Sequence, residues 1–188
     1  LTDEIRPRAV MLENVRGFLD ADFESYRKRL FGQFRKLGYK TDIKLLQASD
    51  FGVPQLRPRV VIIALRADDA DHFTWPEKLK APTPTVGDTL ADLMAANKWR
   101  GVKQWVAGAQ AIAPTIVGGS KKHGGPDLGP SRARKAWAAL GVNGGTIAEF
   151  APERDFTDVP KLTVRMVARI QGFPDDWTAG IANQHRYK

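Results

Sequence analysis

The sequence predicts an α/β fold, the edge portion of a doubly wound sheet with an antiparallel return strand, joined to a small loop-rich domain. Three observations predict it. An apolar run, an amphipathic helical segment and two strand-like segments follow one another within residues 1–66. The two later strands are separated by about a dozen residues without helical periodicity, which favours an antiparallel pair over a right-handed crossover. Beyond Arg66, glycine and proline punctuation thickens into the pattern of loops held by a scaffold.

Ala9-Val-Met-Leu12 runs into Glu13-Asn14-Val15 and Arg16-Gly17, and a short apolar run of this kind suits a strand buried on both faces. From Asp20 to Leu37 the residues Phe23, Tyr26, Leu30, Phe34 and Leu37 recur at three- and four-residue spacing. Asp20, Asp22 and Glu24 open that segment, Arg35 and Lys36 close it, and Gly38 follows, so its charges match a helix dipole and its stop is a glycine. Lys40 to Leu46 alternates as a strand does, Gly52-Val-Pro54 turns the chain, and Arg59-Val-Val-Ile-Ile-Ala-Leu65 is a β-branched strand. Trp75 to Pro84 reads as a linker, and Val86 to Ala96 as a short helix. Thr163 caps a helix over Val164 to Gln171, which Gly172-Phe-Pro174 ends. The five tryptophans read as core or docking anchors.

The chain has 188 residues, a net charge of +8 and no cysteine. That length buries a core, and the composition, 43% hydrophobic and 27% charged, is that of a globular chain. The missing cysteines exclude disulfides, zinc-thiolate sites and any thiol nucleophile supplied by this chain. No stretch reaches the roughly 18–20 apolar residues of a membrane span. The charge is gathered: Lys98, Arg100, Lys103, Lys121, Lys122, Arg132, Arg134 and Lys135 share their stretch with one acid, Asp127, as a nucleic-acid partner requires.

Three constellations carry chemistry. Glu13 and Asn14 sit at the carboxyl end of a strand, where open α/β sheets bind ligands; the alternative is a surface acid that opens a loop. Gln55, Arg57 and Arg59 alternate, so on one strand they project to one face and form a forked donor array for phosphate or carbonyl oxygens; the alternative is a basic sheet edge. In Ser120-Lys-Lys-His-Gly-Gly125 the glycines allow close backbone approach and Lys121 and Lys122 neutralise phosphates, although no Walker pattern is present. His123 has no partner residues that would make it a metal ligand, and no metal is expected.

Together these residues resemble the second half of a DNA (cytosine-5)-methyltransferase. Glu13-Asn14-Val15 is similar to the family's ENV motif. Ala48-Ser-Asp-Phe-Gly-Val-Pro-Gln55 with Arg57 and Arg59 is similar to its Q-x-R-x-R motif. Leu162-Thr-Val-Arg165 with Ala168-Arg-Ile-Gln-Gly-Phe-Pro-Asp-Asp-Trp177 resembles the helix that carries its target-recognition domain. The resemblance implies three segments: residues 1–66 as a partial catalytic domain, 67–158 as a target-recognition domain, and 159–188 as a helix and tail returning to the catalytic domain.

It also implies a reaction in which a cytosine is flipped out of duplex DNA, attacked by a cysteine thiolate, and methylated at carbon 5 from S-adenosylmethionine. By the resemblance Glu13 holds the cytosine's amine and ring nitrogen, Arg59 and Arg57 grip its carbonyl or phosphate, and Asn14 and Gln55 support them. Lys121, Lys122, Arg132, Arg134 and Lys135 contact DNA phosphates. The Pro-Cys nucleophile and the glycine-rich cofactor motif are absent, and Met166 stands where relatives carry an acid. The expectation is therefore a fragment or subunit, inactive alone, with most of the S-adenosylmethionine site outside it. Its partners are duplex DNA and a missing N-terminal half or companion subunit, with self-association through an exposed sheet edge as a further possibility. A bacterial, cytoplasmic, nucleoid-associated location follows. The alternative is a non-catalytic, sequence-specific DNA-binding module derived from the same fold.

Overall fold

The computed structural model describes residues 1–117 and 126–178. The chain forms two compact units, Leu1–Gln47 with Pro58–Lys78, and Ala48–Arg57 with Leu79–Lys188. These bounds differ from the three segments expected: residues 48–57 and the helix after Thr163 belong with the later part of the chain.

In the first unit a single turn of helix, α1 (Thr2–Ile5), precedes strand β1 (Ala9–Val15), and two 3-10 turns lead into α2 (Glu24–Lys36). Strand β2 (Tyr39–Gln47) follows. After the short β3 (Gln55–Leu56), which belongs to the second unit, comes β4 (Pro58–Arg66), with a helical turn, α3 (Ala67–Ala70), behind it. β4 lies between β1 and β2 and is antiparallel to both, so the return strand closes the strand-helix-strand unit from inside. Leu12, Ile62 and Ile43 stand in register across the three strands.

α2 covers one face of this sheet because its apolar stripe recurs every three to four residues. Val60 and Ile62 are buried with Phe18, against Leu12, Leu30, Phe31 and Ile43. Phe34, Tyr39 and Ala64 form the adjoining cluster with Val10 and Leu37. Phe18 is further held by the edge of Tyr26 at 6.1 Å and by the Arg27 guanidinium, 5.8 Å from its ring centre. The opposite sheet face carries Met11, Glu13 and Val15 of β1 beside Arg59, Val61 and Ile63 of β4. β1 is not buried on both faces as its apolar run suggested: Met11 is 72% and Val15 58% exposed, and only β4 pairs with β1 among the described residues.

In the second unit a 3-10 turn over Ala48–Phe51 ends at Gly52, whose φ of +83° is a conformation that L side chains rarely adopt. This is the turn expected before Gln55. β3 then pairs in parallel with β5 (Ala113–Pro114), after the helices α4 (Val86–Met94) and α5 (Val102–Gly108). α4 starts at a capping box in which Thr85 and Asp88 satisfy each other's backbone N–H groups. Gly87 lets α4 approach α5 closely, since a Cβ there would lie 2.7 Å from the Val106 carbonyl oxygen.

Two further helices follow among the described residues, α6 (Ser131–Ala138) and α7 (Val164–Ile170). Thr163 caps α7 as expected, and its own N–H points at the Met166 sulfur 3.4 Å away, where a capping box has a carboxylate or amide oxygen. One core gathers Leu90 and Met94 of α4, Trp105 of α5, Trp137 of α6, and Met166, Val167 and Ile170 of α7. The loop-rich appearance of the sequence therefore hides a helical core. Its loops are tied down by Trp99 Nε1, which donates to the Phe156 carbonyl at 2.7 Å, and by Asn97, which donates to that of Ala151 at 3.0 Å.

Candidate active site and nucleic-acid interface

Glu13 and Arg59 meet in the first unit. Register sets them diagonally on one sheet face, with Glu13 opposite Val61 and Val15 opposite Arg59. The Arg59 Nε lies against Glu13 Oε1 as an ion pair, without the alignment of a hydrogen bond. Arg59 Nη1 donates to the Pro58 carbonyl at 2.9 Å. The arginine is thus held twice, with its side chain 21% exposed, while the Glu13 side chain stays 53% exposed. Neither Glu13 Oε2 nor Arg59 Nη2 takes a hydrogen bond among the described residues, so the pair keeps one acceptor and one donor available. Asn14 points to the other face, and its Oδ1 accepts from the Val15 N–H at 2.8 Å, bracing the strand end.

Gln55 and Arg57 lie in the second unit. Gln55 is in β3, beside Ala113, and Arg59 is in β4 of the other sheet, so alternation along one strand does not relate them. Gln55 is fully buried, and neither of its amide atoms finds a hydrogen-bond partner among the described residues. The Arg57 carbonyl accepts from the Ala48 N–H at 3.1 Å, closing the turn.

Of the expected phosphate contacts, Lys121 and Lys122 lie outside the described residues. Arg132, Arg134 and Lys135 are exposed on α6, and none forms an ion pair among the described residues. Arg134 and Lys135 line a groove of about 520 Å³ together with Ser131, Asn143, Gly144, Asp158 and Val159.

Sequence reasoning missed a clamp in the second unit. Arg169 of α7 donates through Nε to Asp175 Oδ1 at 2.9 Å, and through Nη1 to Asp92 Oδ1 at 2.5 Å and to the Thr89 carbonyl at 3.1 Å. Arg165 adds a bond to Asp175 Oδ2 at 2.8 Å. One guanidinium so joins α7, α4 and the turn after Gly172. Asp92 stands 77 residues from Arg169, and no local signal pairs them. The hydrogen bonds from Arg169, then those from Arg165, outweigh partial burial and pull the Asp175 carboxyl down to about 2. A depressed carboxyl stabilises fully above its ordinary value of 3.8 and loses that contribution as pH falls through about 2. Between about pH 4 and pH 2 the urea midpoint of the native chain is therefore expected to fall more steeply than that of Asp175→Asn. Equal slopes would contradict the clamp.

A family model described as C-5 cytosine-specific DNA methylase matches residues 1–188. The chain is 53% identical over 191 residues to the type II methyltransferase M.NaeI of Lentzea aerocolonigenes, a match that covers 100% of this chain and 46% of that protein. It is 46% identical over 180 residues to the type II methyltransferase M.NgoMIV of Neisseria gonorrhoeae, covering 94% of this chain and 57% of the relative. The chain spans about half the length of these curated relatives. Among solved structures, a prophage-encoded E. coli protein described as a DNA modification methyltransferase aligns with a TM-score of 0.53 at 16% identity, over 100% of this chain and 65% of that one, which shows a shared α/β fold. Matched from its first residue to its last, this chain belongs to the C-5 cytosine-specific DNA methylase family.

Proposed function

We propose that this chain is the base-holding and DNA-reading part of a DNA cytosine-5 methyltransferase, and that it is inactive by itself. The observation that carries the reading is the Glu13–Arg59 pair at the strand end, with one carboxylate oxygen and one guanidinium nitrogen left free. A cytosine edge presents an amine donor, a ring nitrogen and a carbonyl acceptor. Glu13 Oε2 accepts from the amine, Arg59 Nη2 donates to the carbonyl, and a proton shared between Glu13 and the ring nitrogen makes the ring more electrophilic. Asn14, braced by its own bond to the Val15 N–H, supports the strand end that carries Glu13. S-adenosylmethionine supplies the methyl group. The glycine-rich cofactor motif is absent from this sequence, so the cofactor's site is assigned to the rest of the enzyme.

The chain contains no cysteine, so the attacking thiolate also belongs to the rest of the enzyme. Exposed Met11 and Val15, with β1 paired on one edge among the described residues, support docking of that remainder, or of a second copy, at this sheet. A second reading, a DNA-binding module without chemistry, is favoured by the same missing thiol. No helix among the described residues is long and apolar enough to cross a membrane, and we place the protein with nucleoid DNA.

The experiment is complementation. The chain is mixed with the polypeptide that carries the Pro-Cys and cofactor motifs, duplex DNA and labelled S-adenosylmethionine. Label is expected in cytosine only when both polypeptides are present, and its absence from a DNA-bound mixture would leave the second reading. Arg132, Arg134, Lys135, Lys121 and Lys122 are assigned to phosphates. Replacing Arg132, Arg134 and Lys135 together by Gln is expected to reduce the slope of log affinity against log salt by roughly 2–3; an unchanged slope would place the DNA elsewhere.

A further inference from the structure

The groove beside α6 is polarised. Its lining brings together Ser131, Arg134 and Lys135 of the helix, Asp158 and Val159, and the turn Asn143-Gly144-Gly145. That turn is held in place by its neighbours. Gly144 lies over Leu128 and Trp137, and the Asn143 N–H donates to the Pro160 carbonyl at 2.8 Å, tying the turn to the segment that carries Asp158. With glycine at two positions of this turn, a ligand edge can approach the backbone.

A groove that served phosphates alone would gain nothing from Asp158, because a carboxylate repels them. Asp158 is exposed, yet it forms no ion pair with Arg134, Lys135 or any other described residue. Its Oδ1 is used locally, accepting from the Val159 N–H at 2.7 Å, while Oδ2 takes no hydrogen bond among the described residues. Asn143 is constrained in the same way. Its Oδ1 accepts from the Gly145 N–H at 3.1 Å, and its amide NH₂ makes no hydrogen bond among the described residues and can donate to a ligand. The groove therefore offers an acceptor and a donor together with two cations.

We infer that Asp158 is a specificity-determining residue that accepts a hydrogen bond from the exocyclic amine of a DNA base, cytosine N4 or adenine N6, while Asn143 donates to a neighbouring base acceptor. Those two amines are the donors that duplex DNA presents in its major groove. Arg134 and Lys135 hold the flanking phosphates, which fixes register but reads no sequence. This rests on the proposed DNA-reading role of the chain and names the residue that does the reading.

The test is selection of duplexes carrying a randomised ten-base-pair window by the 188-residue chain, comparing native protein with Asp158→Asn. The Asn side chain keeps the acceptor for Val159 N–H and puts a donor where Oδ2 was. Native protein is expected to enrich an amine-bearing base at one position. Asp158→Asn is expected to lower that preference about tenfold and to bind unselected duplex as well or better, since a negative charge is gone. A merely structural role would lower binding to all duplexes together. Asn143→Asp, which keeps the Gly145 contact and exchanges the free donor for an acceptor, is expected to change the base selected at the same or the adjacent position. Whether cytosine or adenine is lost identifies the amine. Identical enriched sequences from native protein and both variants would overturn the assignment of Asp158. Native protein that binds no duplex would instead overturn the DNA-reading role on which the assignment rests.

Discussion

Glu13→Gln in the complemented enzyme is expected to lower methyl transfer by about 10²–10⁴-fold, the span of a lost general acid-base contact, with duplex affinity within about threefold of native. The two effects separate because Glu13 touches the base and not the phosphates in this account. Gln keeps an oxygen for the cytosine amine but cannot share a proton with the ring nitrogen, so the loss falls on kcat. Glu13 is half exposed and belongs to neither hydrophobic cluster of its unit, so the variant is expected to keep its fold. Single-turnover incorporation of labelled methyl, measured beside duplex binding, checks this. A native rate in the variant would remove Glu13 from the reaction.

The largest effect on stability is expected at Trp137. Its side chain is fully buried in the core that unites α4, α5, α6 and α7. Trp137→Ala is expected to cost about 3–5 kcal/mol by urea denaturation, and to release α6 with its three cations. Trp137→Phe gives a sharper comparison. The Trp137 indole N–H has no acceptor among the described residues, whereas Trp105 Nε1 donates to the Gly141 carbonyl at 2.9 Å. Trp105→Phe therefore leaves a void and an unpaired carbonyl, and Trp137→Phe leaves a void alone. Trp105→Phe is expected to cost more by about 1 kcal/mol, the net worth of a hydrogen bond. The reverse order would mean that the indole nitrogen of Trp137 is satisfied in solution.

Much of the first unit was legible because its elements repeat. The Phe23-to-Leu37 spacing, the alternation after Lys40 and the β-branched run to Leu65 each bury one face, and periodicity records which. The apolar run of β1 reads the same whether one face or both are covered, so its exposure follows only from the missing N-terminal half that the resemblance implies. α5 and α6 escaped for a different reason. α6 buries essentially one side chain, Trp137, among Arg132, Arg134 and Lys135, so its eight residues show charge and no period. At the site, residue types were legible and contacts were not. Glu13 and Arg59 meet because Val15 pairs with Arg59, a register that no local pattern fixes. Gln55 and Arg57 looked like members of Arg59's strand, and the chain instead passes from one sheet to another at that point. Arg169 drew no attention for its own sake, since Asp92 is brought to it only by the packing of α4 on α7.

The central claim is that Glu13 and Arg59 hold a cytosine that has left the duplex. A fluorescent cytosine analogue, bright when unstacked, placed at the cytosine that becomes methylated, tests it most directly. On binding the complemented enzyme its emission is expected to rise, and on binding the Glu13→Gln, Arg59→Gln double variant to rise far less at equal DNA occupancy. Equal emission from the two enzymes, or none from the native one, would contradict the claim.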